Sequence, residues 1–144
     1  MIEQDTIRLL RECDAGVTMG ISSIEDVLPF VSSREMKQAL ESCRDEHSKL
    51  NTELGELLQQ YGDEGKDPNL MARGMSWMKT NMKLAMEESD ETIADLMTDG
   101  CNMGVKSLNK YLNEYEAADE VSKDIAKRLI NLEEKLAVDI RSYL

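Results

Sequence analysis

Proline appears only twice in 144 residues, and aromatic side chains only six times: one Trp, four Tyr and one Phe. Sheet sandwiches and barrels draw on aromatic and β-branched residues and on frequent turn residues, so this scarcity argues against an all-β chain. No apolar run approaches the roughly 20 residues of a membrane span. A basic stripe is also missing, since 17 Lys and Arg stand against 29 Asp and Glu, for a net charge of −12 spread along every segment. Phosphate backbones and anionic lipid surfaces would be repelled, so neither nucleic acid nor membrane is an expected partner. The opening stretch MIEQDTIRLLREC carries acids and arginines where a secretory leader needs an unbroken apolar run. Cys13, Cys43 and Cys101 are odd in number and form no C-x-x-C pair, which fits free, buried thiols in a cytoplasmic setting.

What remains is helix-forming chemistry. Ala, Glu, Lys, Leu and Met dominate, and 144 residues suffice for one domain with a real core. Over about residues 3–31, Leu10, Cys13, Val17, Gly20, Ile24, Val27 and Val31 recur in alternating steps of three and four, the period of one helical face. Ser32 and Ser33 then offer an N-cap, and Met36, Leu40, Cys43, His47, Leu50, Leu54, Leu57 and Tyr61 continue the same period until Gly62. Ser89 and Asp90 cap a third long helix with Ala94, Met97, Cys101, Gly104, Leu108, Tyr111 and Tyr115 on its inner face. A fourth, from about residue 119, carries Ile125, Leu129, Leu132, Leu136, Ile140 and Tyr143. Short turns pair these as antiparallel hairpins over 3–61 and 90–143. Between them lie the loop GDEGKDP and a crossover helix over 69–87 bearing Met71, Met75, Met78, Met82 and Met86. This stripe suits either core filling or an adaptable contact surface. The expected fold is an all-α four-helix bundle in one domain, 1–144.

The two hairpins look like one unit written twice. Residues 15–28, AGVTMGISSIEDVL, and 99–112, DGCNMGVKSLNKYL, share the frame G-x-x-M-G-[IV]-x-S-[IL]-x-x-x-L at an offset of 84. The second arms, ALESCRDEHSKL at 39–50 and IAKRLINLEEKL at 125–136, align at 86. Two glycine pairs, Gly16/Gly20 and Gly100/Gly104, sit inside these helices, where each glycine costs about 1 kcal/mol against alanine. Close approach of a neighbouring helix, or room for a bulky facing side chain, would offset that loss. Folding the first hairpin about residues 31–32 brings Gly16 level with His47 and Gly20 level with Cys43.

The same folding places Val17 and His47, and their equivalents Cys101 and Glu133, at one interior level. Di-iron carboxylate bundles need about four inward carboxylates, including paired Glu-x-x-His motifs. Here the corresponding pairs read Arg44/His47 and Ile130/Glu133, so that chemistry is not expected. A single Zn or Fe held by His47, Cys101 and Glu133 is the alternative, because zinc accepts N, S and O ligands. The simpler reading of His47 is a histidine that packs against Gly16 and hydrogen-bonds Glu133. Nucleophilic catalysis by Cys101 with His47 as base lacks an oxyanion hole.

The segments L-L-R-E-C-D-A-G at 9–16, G-x-S-W-M-K at 74–79 and D-G-C-N-M-G-V-K-S-L at 99–108 resemble the ferritin-like superfamily, and within it a bacterial family of unknown function, DUF2383. The resemblance implies a ferritin-like fold of two hairpins with a crossover, and descent from a metal-binding ancestor. The positions that would bear inward glutamates are Val17 and Cys101, so iron storage and oxidase activity do not carry over. The resulting expectation is a non-enzymatic bundle without a cofactor that acts through protein contacts, as a homodimer or with a protein partner.

Overall fold

Three helices begin where the chain offers an oxygen to an otherwise unpaired backbone amide. The Ser33 hydroxyl accepts from the amide of Met36, Ser89 from that of Thr92, and the Asp119 carboxylate from that of Ser122, each satisfying one of the amides that a helix start leaves open. In the computed structural model, which describes residues 2–63 and 89–144, the α-helices are α1 (Ile2–Val27), α2 (Arg34–Gln60), α3 (Asp90–Glu114) and α4 (Glu120–Ile140). They pack as an all-α four-helix bundle, with no strand among the described residues. None of these helices is long and apolar enough to cross a membrane. The crossover helix expected over 69–87, with its methionine stripe, lies outside the described residues.

One boundary differs from expectation. α1 stops at Val27 instead of running to residue 31, and a 3-10 turn at Leu28–Phe30 follows. Pro29 is the physical reason: it lacks an amide hydrogen and disfavours helical geometry in the residue before it.

α1 packs on α2 and α3 on α4 within the hairpins, while α2 faces α4 and α1 faces α3 between them. The two ends are tied by a reciprocal exchange. At one end the amides of Ser32 and Ser33, in the α1–α2 turn, donate to the two carboxylate oxygens of Asp90 at 2.8 Å each, and the Ser33 hydroxyl meets the Tyr143 hydroxyl at 2.7 Å. At the other, the amides of Ala117 and Asp119, in the α3–α4 turn, donate to Asp5 at 3.1 Å and Thr6 at 2.9 Å. Arg11 pairs there with Asp63, just past α2. α2 and α3 therefore start at the same end and run parallel, so α2 finishes roughly 40 Å from where α3 begins.

The interior divides into two apolar clusters. One gathers Leu9, Leu10, Cys13 and Val17 with Leu50, Leu54, Ile125 and Leu129. The other gathers Ile24, Val27, Met36 and Leu40 with Ile93, Met97, Leu136 and Ile140. Most stripes match the sequence reading, although at the end of α2 the fully buried residue is Leu58, with Leu57 only half-buried. Between the clusters lies a polar level.

Candidate functional site

His47 occupies that level and is only 1% exposed. Its position on α2 follows from the apolar stripe, one turn beyond Cys43 and one before Leu50, so the helix period carries the imidazole inward. Nδ1 lies 2.8 Å from the Cys43 carbonyl oxygen and 3.5 Å from the Cys43 sulfur. Nε2 lies 3.0 Å from Oε1 of Glu133 on α4. Both ring nitrogens thus face oxygen acceptors, an arrangement that an imidazolium satisfies completely and a neutral ring only in part. Burial alone would lower the His47 pKa, but the hydrogen bonds to Cys43 and Glu133, with the Glu133 charge, outweigh it and raise it to about 10.

Cys101 on α3 stands close enough to Glu133 to feel its charge, and its thiol is pushed up chiefly by burial and further by Glu133. Cys13, in the apolar cluster, is raised to about 12 by burial, with Glu12 and Asp14 adding to it. These thiols stay protonated at neutral pH and are poor nucleophiles. The geometry therefore gives no support to a Cys101 nucleophile with His47 as base.

His47, Cys101 and Glu133 are brought together, with His47 hydrogen-bonded to Glu133 and Cys101 beside that carboxylate. Among the described residues, no group of three or more His, Cys, Asp or Glu side chains is arranged to hold a metal ion. Val17 belongs to the apolar cluster. Cys43, read from the sequence only as a stripe residue, is a full member of the site, and its spacing of four from His47 is the signal that could have placed it there.

The glycine that accommodates His47 is Gly20, not Gly16. A β-carbon at Gly20 would lie 2.8 Å from both Cδ2 and Nε2 of the ring, whereas one at Gly16 would make ordinary contact, 3.5 Å, with Leu129. The hairpin arithmetic missed by one turn because the 3-10 turn and the extended residues after it carry the chain about 9 Å farther before α2 starts. In the second hairpin, Gly104 faces Glu133, with 3.6 Å from a β-carbon to Cδ. The glycine and the polar residue it admits thus recur, Gly20 with His47 and Gly104 with Glu133.

A cavity of about 430 Å³ opens between α1 and α3 beside this level. Both glycine pairs line it, Cys101 and Glu133 reach it from the interior, and Glu12 and Tyr111 stand toward one end. Sequence reading placed the glycines but missed the cavity, since empty space has no residue to announce it.

No protein-family model, curated protein or solved structure matches this chain.

Two outcomes follow from this geometry. Gly20→Ala should destabilise the protein by about 1–3 kcal/mol, because the pinned ring cannot yield to the new methyl group, while Gly100→Ala, whose β-carbon meets nothing within 4 Å, should stabilise it by about 1 kcal/mol through helix propensity. Urea unfolding of both variants checks this, and equal shifts would contradict it. The second outcome concerns pH. A folded-state pKa of about 10 against the ordinary histidine value of 6.5 means the native protein holds a proton that the unfolded chain releases, so the His47 contribution is complete below pH 6.5 and disappears as pH rises toward 10. The urea midpoint should therefore fall between pH 6 and pH 10 more steeply in the parent than in His47→Gln, and parallel profiles would refute the assignment.

Proposed function

We propose that this chain is a non-enzymatic binding module on a ferritin-like bundle, acting through protein contacts as a homodimer in the cytoplasm. The observation that carries this reading is the closure of the polar level. His47, Glu133 and the Cys43 carbonyl satisfy one another inside the bundle beside Cys101, so the group works as a structural pair and leaves interaction to the outer faces. Exposed apolar side chains on those faces support the contact role, Met103 among them at 56% exposure. Free, buried Cys13, Cys43 and Cys101 fit a reducing compartment. The ferritin-like kinship and the duplication draw support from the reciprocal end contacts, in which Asp90 does for the first turn what Asp5 and Thr6 do for the second. Light scattering at high concentration should give about twice the 16.3 kDa chain mass, and a strictly monomeric particle would count against the dimer.

A second reading, a mononuclear Zn or Fe site at His47, Cys101 and Glu133, is favoured by one detail. The Cys43 carbonyl fixes Nδ1 of His47, the orientation in which histidines present Nε2 to a metal. Elemental analysis separates the readings: stoichiometric metal in the parent that is lost in His47→Ala supports the metal site, and metal-free protein of undiminished stability ends it.

A further inference from the structure

We propose that the cavity between α1 and α3 binds a monovalent organic cation with an apolar body. Its volume of about 430 Å³ falls within the roughly 300–1,000 Å³ of small-molecule sites, which combine apolar walls with a few convergent polar groups. Two of its glycines are not needed for the packing seen. A β-carbon at Gly100 would meet nothing within 4 Å, and one at Gly16 would make an ordinary contact with Leu129. Glycine weakens a helix interior, so residues that packing would allow to be larger are keeping space open along the floor of the cavity. Met19, Met97 and Leu108 supply adaptable apolar walls on either side.

The polar groups select the sign of the occupant. Among the described residues, two carboxylates, Glu12 and Glu133, line the cavity, and no Lys or Arg does. The charge of Glu133 is matched by His47. The Tyr111 phenol lies beside Glu12, and among the described residues no ion pair is formed at Glu12. The Tyr111 ring, stacked on Tyr115 with centroids 6.2 Å apart, adds an aromatic face of the kind that attracts ammonium groups. A cationic head seats at Glu12 and Tyr111, and the apolar body lies along the glycine floor toward Met97. Anions are disfavoured by Glu12, whose charge faces the same end of the cavity.

Calorimetric titration of the full chain with octyltrimethylammonium, 1-octanol and octanoate distinguishes the contributions. The cation is expected to bind with 1:1 stoichiometry, octanol at least about tenfold more weakly and octanoate below detection. Glu12→Gln should weaken the cation about tenfold while leaving octanol unchanged. Gly100→Leu, which fills the floor, should abolish binding of both with helical content and melting temperature retained. Octanoate binding as tightly as the cation, cation binding indifferent to Gly100→Leu or to Glu12→Gln, or no binding of any probe at millimolar concentration would each overturn the proposal.

Discussion

The buried pair of His47 and Glu133 is the constraint around which the bundle is arranged. Removing charge from water costs several kcal/mol per ion, and the mutual attraction offsets this only where geometry is good and the remaining hydrogen-bonding groups are satisfied. Those conditions reach into all four helices. α2 supplies the imidazole and, one turn earlier, the carbonyl that holds its second nitrogen; α4 supplies the carboxylate; α3 contributes the Cys101 thiol; and α1 contributes the absence of a side chain at Gly20. A slip of α2 or α4 by one turn toward its N-terminal neighbour would replace His47 by Cys43 or Glu133 by Leu129 and leave the other charge unpaired. The pair thus selects one register among several that the apolar stripes alone would permit.

The end contacts impose the same register from outside. Helical stripes of Leu and Ile are forgiving along their length, because most one-turn displacements bring one aliphatic residue where another stood. Backbone amides in the two turns are not forgiving, since each needs a specific oxygen within hydrogen-bonding distance. Asp90 provides two for the first turn, and Asp5 and Thr6 provide two for the second. Each hairpin is therefore stapled by the helix start of the other. With both ends and the centre fixed, the apolar clusters need only fill volume.

Much of this was readable from residues whose chemistry is local. Ser33 and Ser89 announced helix starts because capping depends on the three residues that follow. The stripes announced the core faces, and Gly20 and Gly104 announced that something large lay opposite. What lay opposite was misjudged by one turn, because Pro29 shortened α1 and the 3-10 turn displaced α2, an offset set by three-dimensional path length and not by sequence distance. The partnership of His47 with Glu133 could be anticipated from the offset of 86 between the second arms. The role of the Cys43 carbonyl could not, since it depends on backbone atoms common to every residue. The cavity was still less accessible, being lined by residues of α1 and α3 that are far apart in the sequence.

On the proposed duplication, the difference between the two halves matters more than their likeness. Identical residues at positions 47 and 133 would place two like groups face to face about 3 Å apart in a low-dielectric interior. Two carboxylates there could not both stay ionised without a cation between them; two histidines would compete for the same proton. One of each resolves the conflict within the chain, because the histidine carries as a bound proton the positive charge that a symmetric carboxylate pair would have to take from a metal. The polar level can then persist without a ligand, provided both glycines remain to admit the side chains. Divergence at one pair of equivalent sites, with conformity at the glycines beside them, is the pattern expected of a bundle that has exchanged an external charge for an internal one.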